Sequence, residues 1–277
     1  MVITGVWTAF PQCYDRDDRV LGQVITHLFE QGVSGLFLLG TTGQGPDYTV
    51  WERKNLTDRL LSLMSEPQQA IVAISANAAS DVRELLEHAW QHEVRGIALT
   101  PPYYGTFAPE ELVHWAATVF QNLPKSGEIY LYNMPLASPT RWSIPVVSAI
   151  DEMIGVDGIK DSSGDVAQLR EYMRWSQHKN ASVLVGNERL TLYHYLSGGH
   201  GVVSGLSAAC PELVVKLVKQ CEMGQWSEAR NTQAEVNRRL DEVQGSTLRA
   251  SVRALVELME KNGILLLSSN SGFKGVR

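Results

Sequence analysis

Ile154-Gly155-Val156-Asp157-Gly158-Ile159-Lys160-Asp161-Ser162-Ser163-Gly164 reads as a short apolar stretch that ends in a lysine and runs out into small polar residues. It is too short for a helix and is bounded by a turn cluster, so we read 154–160 as a buried strand with Lys160 at its carboxyl end. Similar apolar or β-branched runs recur at 2–10, 35–39, 70–75, 96–100, 128–132, 182–185 and 201–204. Helix signals lie between them. The pattern over 17–31 stops before Gly32, Pro109-Glu110-Glu111 opens a helix with proline and acids in its first turn, and 165–177 starts on an acid. Eight alternations of strand and helix predict an α/β protein with a closed (β/α)8 TIM barrel; an open doubly wound sheet is the rival architecture.

Beyond the eighth strand, 211–222 supplies the last barrel helix, and 225–243 and 248–261 read as two more. The expected organisation is a barrel carrying the catalytic site over 1–223 and a C-terminal helical extension over 224–277. Its last ten residues are small, polar and glycine-rich, which predicts a mobile tail. No repeat beyond the barrel unit and no composition break calls for a second domain.

With 277 residues, 44% hydrophobic and 19% charged, the chain can bury a large core. A formal charge of −6, with lysines and arginines scattered, disfavours nucleic acid and anionic membranes as partners. A small molecule is the expected ligand. The three cysteines, Cys13, Cys210 and Cys221, lie far apart without metal-ligand spacing, which suits free thiols in a reducing compartment. The amino-terminal residues lack a charged leader before an apolar core, and no apolar run approaches the length of a membrane span. We therefore expect a cytoplasmic protein.

In such a barrel the residues after each strand converge on one face, and three of those places stand out. After the second strand comes Gly40-Thr41-Thr42-Gly43-Gln44-Gly45-Pro46, a turn able to offer backbone N–H groups and two hydroxyls to a carboxylate. After the fifth comes Tyr132-Asn133-Met134-Pro135, with a phenol one strand from the lysine and able to move protons. The sixth ends in Lys160. An amine held in an apolar interior loses the hydration of its charged form, and the neutral amine attacks ketones to form a Schiff base. Taken singly, each feature has a plainer reading: a turn, a core tyrosine, a lysine paired with Asp157 or Asp161.

Together they resemble the pyruvate-dependent lyases of the dihydrodipicolinate synthase and N-acetylneuraminate lyase superfamily. The matching stretches are Gly40-Thr41-Thr42-Gly43, Pro102-Tyr103-Tyr104, Tyr132-Asn133-Met134-Pro135, Gly158-Ile159-Lys160-Asp161 and Gly198-Gly199-His200-Gly201-Val202-Val203-Ser204. The resemblance implies that Lys160 forms an imine with the ketone of pyruvate or another 2-oxo acid and that Tyr132 is the general acid and base. It further implies that Thr41 passes protons between Tyr132 and Tyr104, the latter reaching a neighbouring subunit's site in a homodimer or a dimer-of-dimers homotetramer. The N–H groups of Thr41 and Thr42 would hold the substrate carboxylate. A protonated imine is itself the electron sink for breaking a carbon–carbon bond, so no cofactor and no metal are expected. Asp161 beside the lysine is expected to point outward.

The sequence also departs from the dihydrodipicolinate synthases. Their arginine two positions after the proline of the Tyr-Asn-x-Pro motif, which engages the second substrate's carboxylate, is here Ala137; Arg141 is the nearest. The acid often found after Gly-Thr-Thr-Gly is Gln44, an asparagine after the eighth strand is replaced by Ala208, and the C-terminal region looks abbreviated. Gly43-Gln44-Gly45-Pro46 and Ile129-Tyr130-Leu131-Tyr132-Asn133 look more like 2-keto-3-deoxy-sugar-acid aldolases. A lyase acting on a sugar acid of that class is thus expected, with Thr42, Gly43, Gln44, Tyr130 and Ser204 contacting the substrate. The alternatives are 4-hydroxy-tetrahydrodipicolinate synthase, a sugar-acid dehydratase and, from another class, a non-catalytic 2-oxo acid sensor.

Other features of the sequence have plainer readings. His88 and His92 stand four apart on a helix, but Ala89-Trp90-Gln91 lacks a zinc-protease glutamate and no third ligand is evident, so they read as a solvated face. Gly198-Gly199-His200-Gly201 precedes a strand, which removes the dinucleotide-loop reading. Asn55-Leu56-Thr57 and Asn180-Ala181-Ser182 match the glycosylation pattern by chance. Trp226 and the aliphatic residues of 248–259 read as helix packing.

Overall fold

A computed structural model of the chain describes residues 2–265. Its eight strands are β1 (Gly5–Ala9), β2 (Gly35–Leu38), β3 (Ala70–Ala73), β4 (Gly96–Leu99), β5 (Glu128–Asn133), β6 (Gly158–Asp161), β7 (Ser182–Val185) and β8 (Gly201–Ser204). All neighbours pair in parallel and in chain order, and β8 pairs with β1 to close the barrel. The open-sheet rival is excluded by that closure. The outer helices are α1 (Asp18–Glu30), α2 (Val50–Ser62), α3 (Ala79–Gln91), α4 (Pro109–Phe120), α5 (Ile144–Ile154), α6 (Val166–Gln177), α7 (Thr191–Leu196) and α8 (Pro211–Glu222). Two more follow, α9 (Trp226–Glu242) and α10 (Leu248–Lys261). Among the described residues no helix is long and apolar enough to cross a membrane. The tail expected to be mobile lies outside the described residues.

Strands of four to six residues suffice because each is buried on both faces, so they read as continuous apolar runs rather than alternating ones. One face meets the helices through a single large core; the other fills the barrel with Trp7, Phe37, Ile71, Ala98, Tyr130, Tyr132, Leu184 and Val203 among others. Helix starts are marked by side-chain caps. Asp17 accepts from Val20 N–H at α1, and Thr49 and Glu52 form a reciprocal capping box at α2, each cap worth about 1 kcal/mol.

The boundary of the sixth strand differs from the sequence reading. Ile154 is the last residue of α5, and Gly155, at φ 73°, breaks the helix in the left-handed region open to glycine. The apolar run Ile154-Gly155-Val156 therefore straddles a helix end and a connection. Strand pairing begins at Gly158. The first strand is likewise shorter than 2–10, starting at Gly5.

Candidate active site

Lys160 and Tyr132 are direct partners across the β5–β6 pair and share the inward side of the barrel. The Lys160 ammonium nitrogen lies 3.7 Å from the centre of the Tyr132 ring and 4.3 Å from that of Phe37, which itself meets Tyr132 edge-on. Lys160 is only 4% exposed, and among the described residues no carboxylate lies within ion-pair distance of it. Aromatic faces thus stand where a counter-ion would otherwise be needed. Gly186, just past β7, makes room for the side chain: a Cβ there would collide with Ser162 Oγ and press on Lys160 Cε.

The Tyr132 hydroxyl lies 3.0 Å from Thr41 Oγ1. Burial resists ionisation of this phenol, but the charge of Lys160 and hydrogen bonding with Thr41, Lys160 and Ser162 outweigh it and hold its pKa below the ordinary tyrosine value. Asp161, the next residue along β6, points outward: its carboxylate accepts from Asn133 Nδ2 at 2.8 Å and from Ser163 Oγ, away from the amine. Burial raises the Asp161 pKa against the lowering effect of those bonds.

The turn after β2 is held in an unusual backbone. Leu39 and Gln44 both have positive φ, 55° and 50°, a conformation that costs a non-glycine residue about 1–3 kcal/mol. The Gln12 amide ties down the Thr42 carbonyl and Gln44 N–H donates to the Thr41 carbonyl, yet among the described residues the amides of Thr41 and Thr42 meet no acceptor of the chain. Two adjacent free N–H groups beside a lysine and a phenol make a place for an anion. Gly43 is buried under the turn, close to Tyr14 and the Phe10 carbonyl, and shapes it from behind. Behind this turn Arg53 of α2 is buried and donates to the Ala73 and Ser75 carbonyls at 2.8 Å each, fixing the end of β3. Burial pulls its pKa down to about 10, which leaves it charged at neutral pH.

Tyr104 stands elsewhere. Asn77 Oδ1 accepts from the amides of Tyr103 and Tyr104 and positions their loop, while the Tyr104 side chain is 87% exposed. Two residues expected to contact substrate do not face the space beside Lys160. Tyr130 faces the barrel interior but two residues deeper than Tyr132, over Gly158, and its hydroxyl donates to Glu128 at the opposite end. Ser204 follows inward-facing Val203 and so turns outward; its Oγ donates to Glu188 and accepts from Ser207 N–H. Phe37, Ser162 and Gly186 also stand at the site, though no motif in the sequence singles them out. Period-two alternation along β2 would have exposed Phe37, and Ser162 is the hydroxyl that follows Lys160 by two.

Arg141 is engaged by Asp165 at 3.3 Å on the rim of α6, and Ala137 is exposed in the turn after β5. Neither supplies a cation to the pocket. Glu188 instead brings a carboxylate to the mouth, its Oε1 held by Ser204 Oγ and the Leu206 amide, with both Glu188 and Thr42 close to Gly205.

The barrel and its paired lysine and tyrosine define a class that comparison with known proteins makes specific. The sequence profile of the Dihydrodipicolinate synthetase family matches residues 1–264. The chain belongs to that family, within the superfamily named above, and is an enzyme, a lyase of the aldolase type. It is 27% identical over 237 residues to the 4-hydroxy-tetrahydrodipicolinate synthase of Oceanobacillus iheyensis, covering 85% of this chain and 79% of that one. The E. coli K12 prophage protein YagE, of the dihydrodipicolinic acid synthase family and solved in complex with pyruvate, superposes with a TM-score of 0.85 at 23% identity, over 94% of this chain and 88% of that one. The 2-keto-3-deoxygluconate aldolase of Picrophilus torridus superposes with a TM-score of 0.83 at 20% identity, over 94% and 93%. At those identities the last two speak for the fold.

Proposed function

We propose that this lyase works through an imine between Lys160 and a 2-oxo acid, with Tyr132 as the proton carrier and a 2-keto-3-deoxy sugar acid as the substrate it cleaves to pyruvate and an aldehyde. The observation that carries the imine is the register pair itself: a buried lysine that meets no carboxylate among the described residues, lying on the ring of a tyrosine whose hydroxyl is bonded to Thr41. The amine adds to the ketone carbon and water leaves. The Tyr132 phenolate then takes the proton of the hydroxyl next to the scissile bond, and the bond's electrons flow to the imine nitrogen as the aldehyde departs. Proton return to the resulting enamine and hydrolysis release pyruvate. The free Thr41 and Thr42 amides hold the carboxylate, with Gly43 shaping the turn and Gln44 beside it. All the groups this sequence needs are the chain's own.

Charge at the mouth supports the sugar acid. With Ala137 in place of a clamp, Arg141 on Asp165 and Glu188 beside Thr42, a second carboxylate finds repulsion rather than a partner, whereas a hydroxylated aldehyde finds an acceptor. A missing charge-assisted hydrogen bond weakens binding by about 1.5–3 kcal/mol, roughly ten- to a hundredfold. The second reading, condensation of pyruvate with aspartate semialdehyde, is favoured by the curated relatives, which carry the synthase name. The deciding experiment sets pyruvate release from 2-keto-3-deoxygluconate against that condensation on the same preparation. We expect the higher kcat/KM for cleavage; an equal or higher value for the condensation overturns the substrate assignment. Borohydride trapping with pyruvate on the Lys160 peptide tests the imine separately.

The surface around Tyr104 supports a homodimer or a dimer of dimers. Tyr104, Trp51 and Leu136 follow the carboxyl ends of β4, β2 and β5 and are all largely exposed. Aromatic and aliphatic groups gathered on one face suit burial against a second copy, where Tyr104 would complete the neighbouring site.

A further inference from the structure

We propose that α2 and α3 carry a second site, a surface site for a transition-metal cation of the zinc class, built from Asp58, His88 and His92. The sequence shows only the two histidines, four apart and therefore on one side of α3. The fold supplies the third ligand from thirty residues away. Consecutive barrel helices lie side by side in the same direction, and α2 and α3 do so with a constant offset: Lys54 pairs with Glu84 at 3.0 Å, and one turn further along Asp58 meets His88. His88 Nε2 and His92 Nε2 lie 2.6 and 2.8 Å from the same oxygen, Asp58 Oδ1. Their rings stand 4.9 Å apart, and the three ligand atoms all lie within 4.8 Å of one another.

Two imidazole nitrogens and one carboxylate oxygen suit Zn²⁺, Co²⁺ or Ni²⁺ rather than Mg²⁺ or Ca²⁺, which prefer all-oxygen shells. Bonds of about 2.0–2.1 Å to a tetrahedral ion set the ligands roughly 3.3–3.5 Å apart, so the Asp58 oxygen must retreat by roughly 0.5–0.9 Å. Its side chain is 47% exposed and free to do so. Each Nε2 then exchanges its contact with the carboxylate for the metal, the ring proton residing on Nδ1. The histidines are more firmly placed: His88 is in the last turn of α3, and His92 caps it, followed by Glu93 at φ 53°. Because the helices run opposite to the strands, this turn is at the end of the barrel away from Lys160, the end that serves stability rather than catalysis. The ion would clip two helices together and leave a coordination position to water.

The site does not depend on the Schiff-base reading and is tested without it. The full chain, stripped with chelator, is titrated with zinc chloride by calorimetry, and its melting temperature is followed with and without zinc. Competition from thiols is small, since the cysteines are buried and burial pushes Cys13 and Cys221 up to about 12 and 11, and residues 266–277 contain no His, Cys, Asp or Glu. We expect one saturable zinc per chain and a melting temperature raised by zinc. Asp58→Ala, His88→Ala and the milder His92→Gln should each weaken binding by about tenfold or more and remove the thermal shift. Absence of saturable binding, or the same isotherm in all three variants, overturns the proposal. Magnesium should not compete; displacement of zinc by an equal concentration of magnesium also overturns it.

Discussion

Tyr130 and Tyr132 lie two residues apart on β5 and face the same barrel interior, yet they are driven in opposite directions. Tyr132, at the carboxyl end, shares the Lys160 charge and is held below the ordinary tyrosine pKa despite burial. Tyr130, at the amino end, is raised by burial and by the Glu128 carboxylate that accepts its proton, with Arg95 paired to the same Glu128. The strand partner makes the difference. Opposite Tyr132 the register places lysine, and opposite Tyr130 it places Gly158, which leaves room for the ring and brings no charge. Under the proposed mechanism the neighbour across the sheet is what suits one phenol to carry protons; an identical group one layer down is a structural strut.

The largest expected effect separates those two roles. Tyr132→Phe keeps the ring over Lys160 and removes only the hydroxyl, so kcat should fall by about 10²–10⁴ while the borohydride adduct still forms, more slowly. Tyr130→Phe should leave kcat within about twofold. Steady-state kinetics on both variants checks this; a comparable loss in the two would erase the distinction.

A second effect probes the same end of the barrel as Tyr130. His194 of α7 is fully buried below β7 and β8, with Nε2 3.0 Å from the Val183 carbonyl, and burial pulls its pKa from 6.5 down to about 4. The folded chain therefore keeps it neutral while the unfolded chain takes up a proton as pH falls through about 6.5. The stabilisation is complete above that value and is lost toward pH 4, on the order of 3 kcal/mol across the window. Denaturant unfolding of the wild type should lose stability over this range more steeply than His194→Gln. Parallel slopes would show that His194 is not the group responsible.

The barrel was legible because a single unit repeats, so that eight weak strand signals reinforce one another even where an edge is misplaced, as at Ile154. Lys160, Tyr132 and Thr41 were legible as strand-end polar residues of types a core does not need, and the barrel brings them together. Ser204 and Tyr130 were misplaced because nearness to a strand end does not give depth or side: Ser204 is one residue out of phase with inward-facing Val203, and Tyr130 is one layer below Tyr132. Asp58 could not be joined to His88 and His92 from spacing, because what unites them is the side-by-side packing of two helices. Contacts within one element follow from periodicity. Contacts between elements follow from register, which this sequence reveals only once the barrel is closed.

The smallest effect tests whether Tyr130 is the strut its surroundings describe. Its hydroxyl donates to a carboxylate that also engages Arg95 through two nitrogens, at 3.0 Å each. Tyr130→Phe leaves the ion pair intact and the ring in place over Gly158, so only the phenol's bond is lost. A hydrogen bond to a charged group contributes about 1.5–3 kcal/mol, but the half-buried Glu128 regains part of this from Arg95 and water. We expect a net loss near 1 kcal/mol in denaturant unfolding, with an unchanged slope against denaturant concentration. Glu128→Gln should bring the Tyr130 absorbance titration to lower pH, since the carboxylate is one of the groups holding it up. If Tyr130→Phe instead costs activity and no stability, the hydroxyl reaches the chemistry after all and the two tyrosines are not divided as the register divides them.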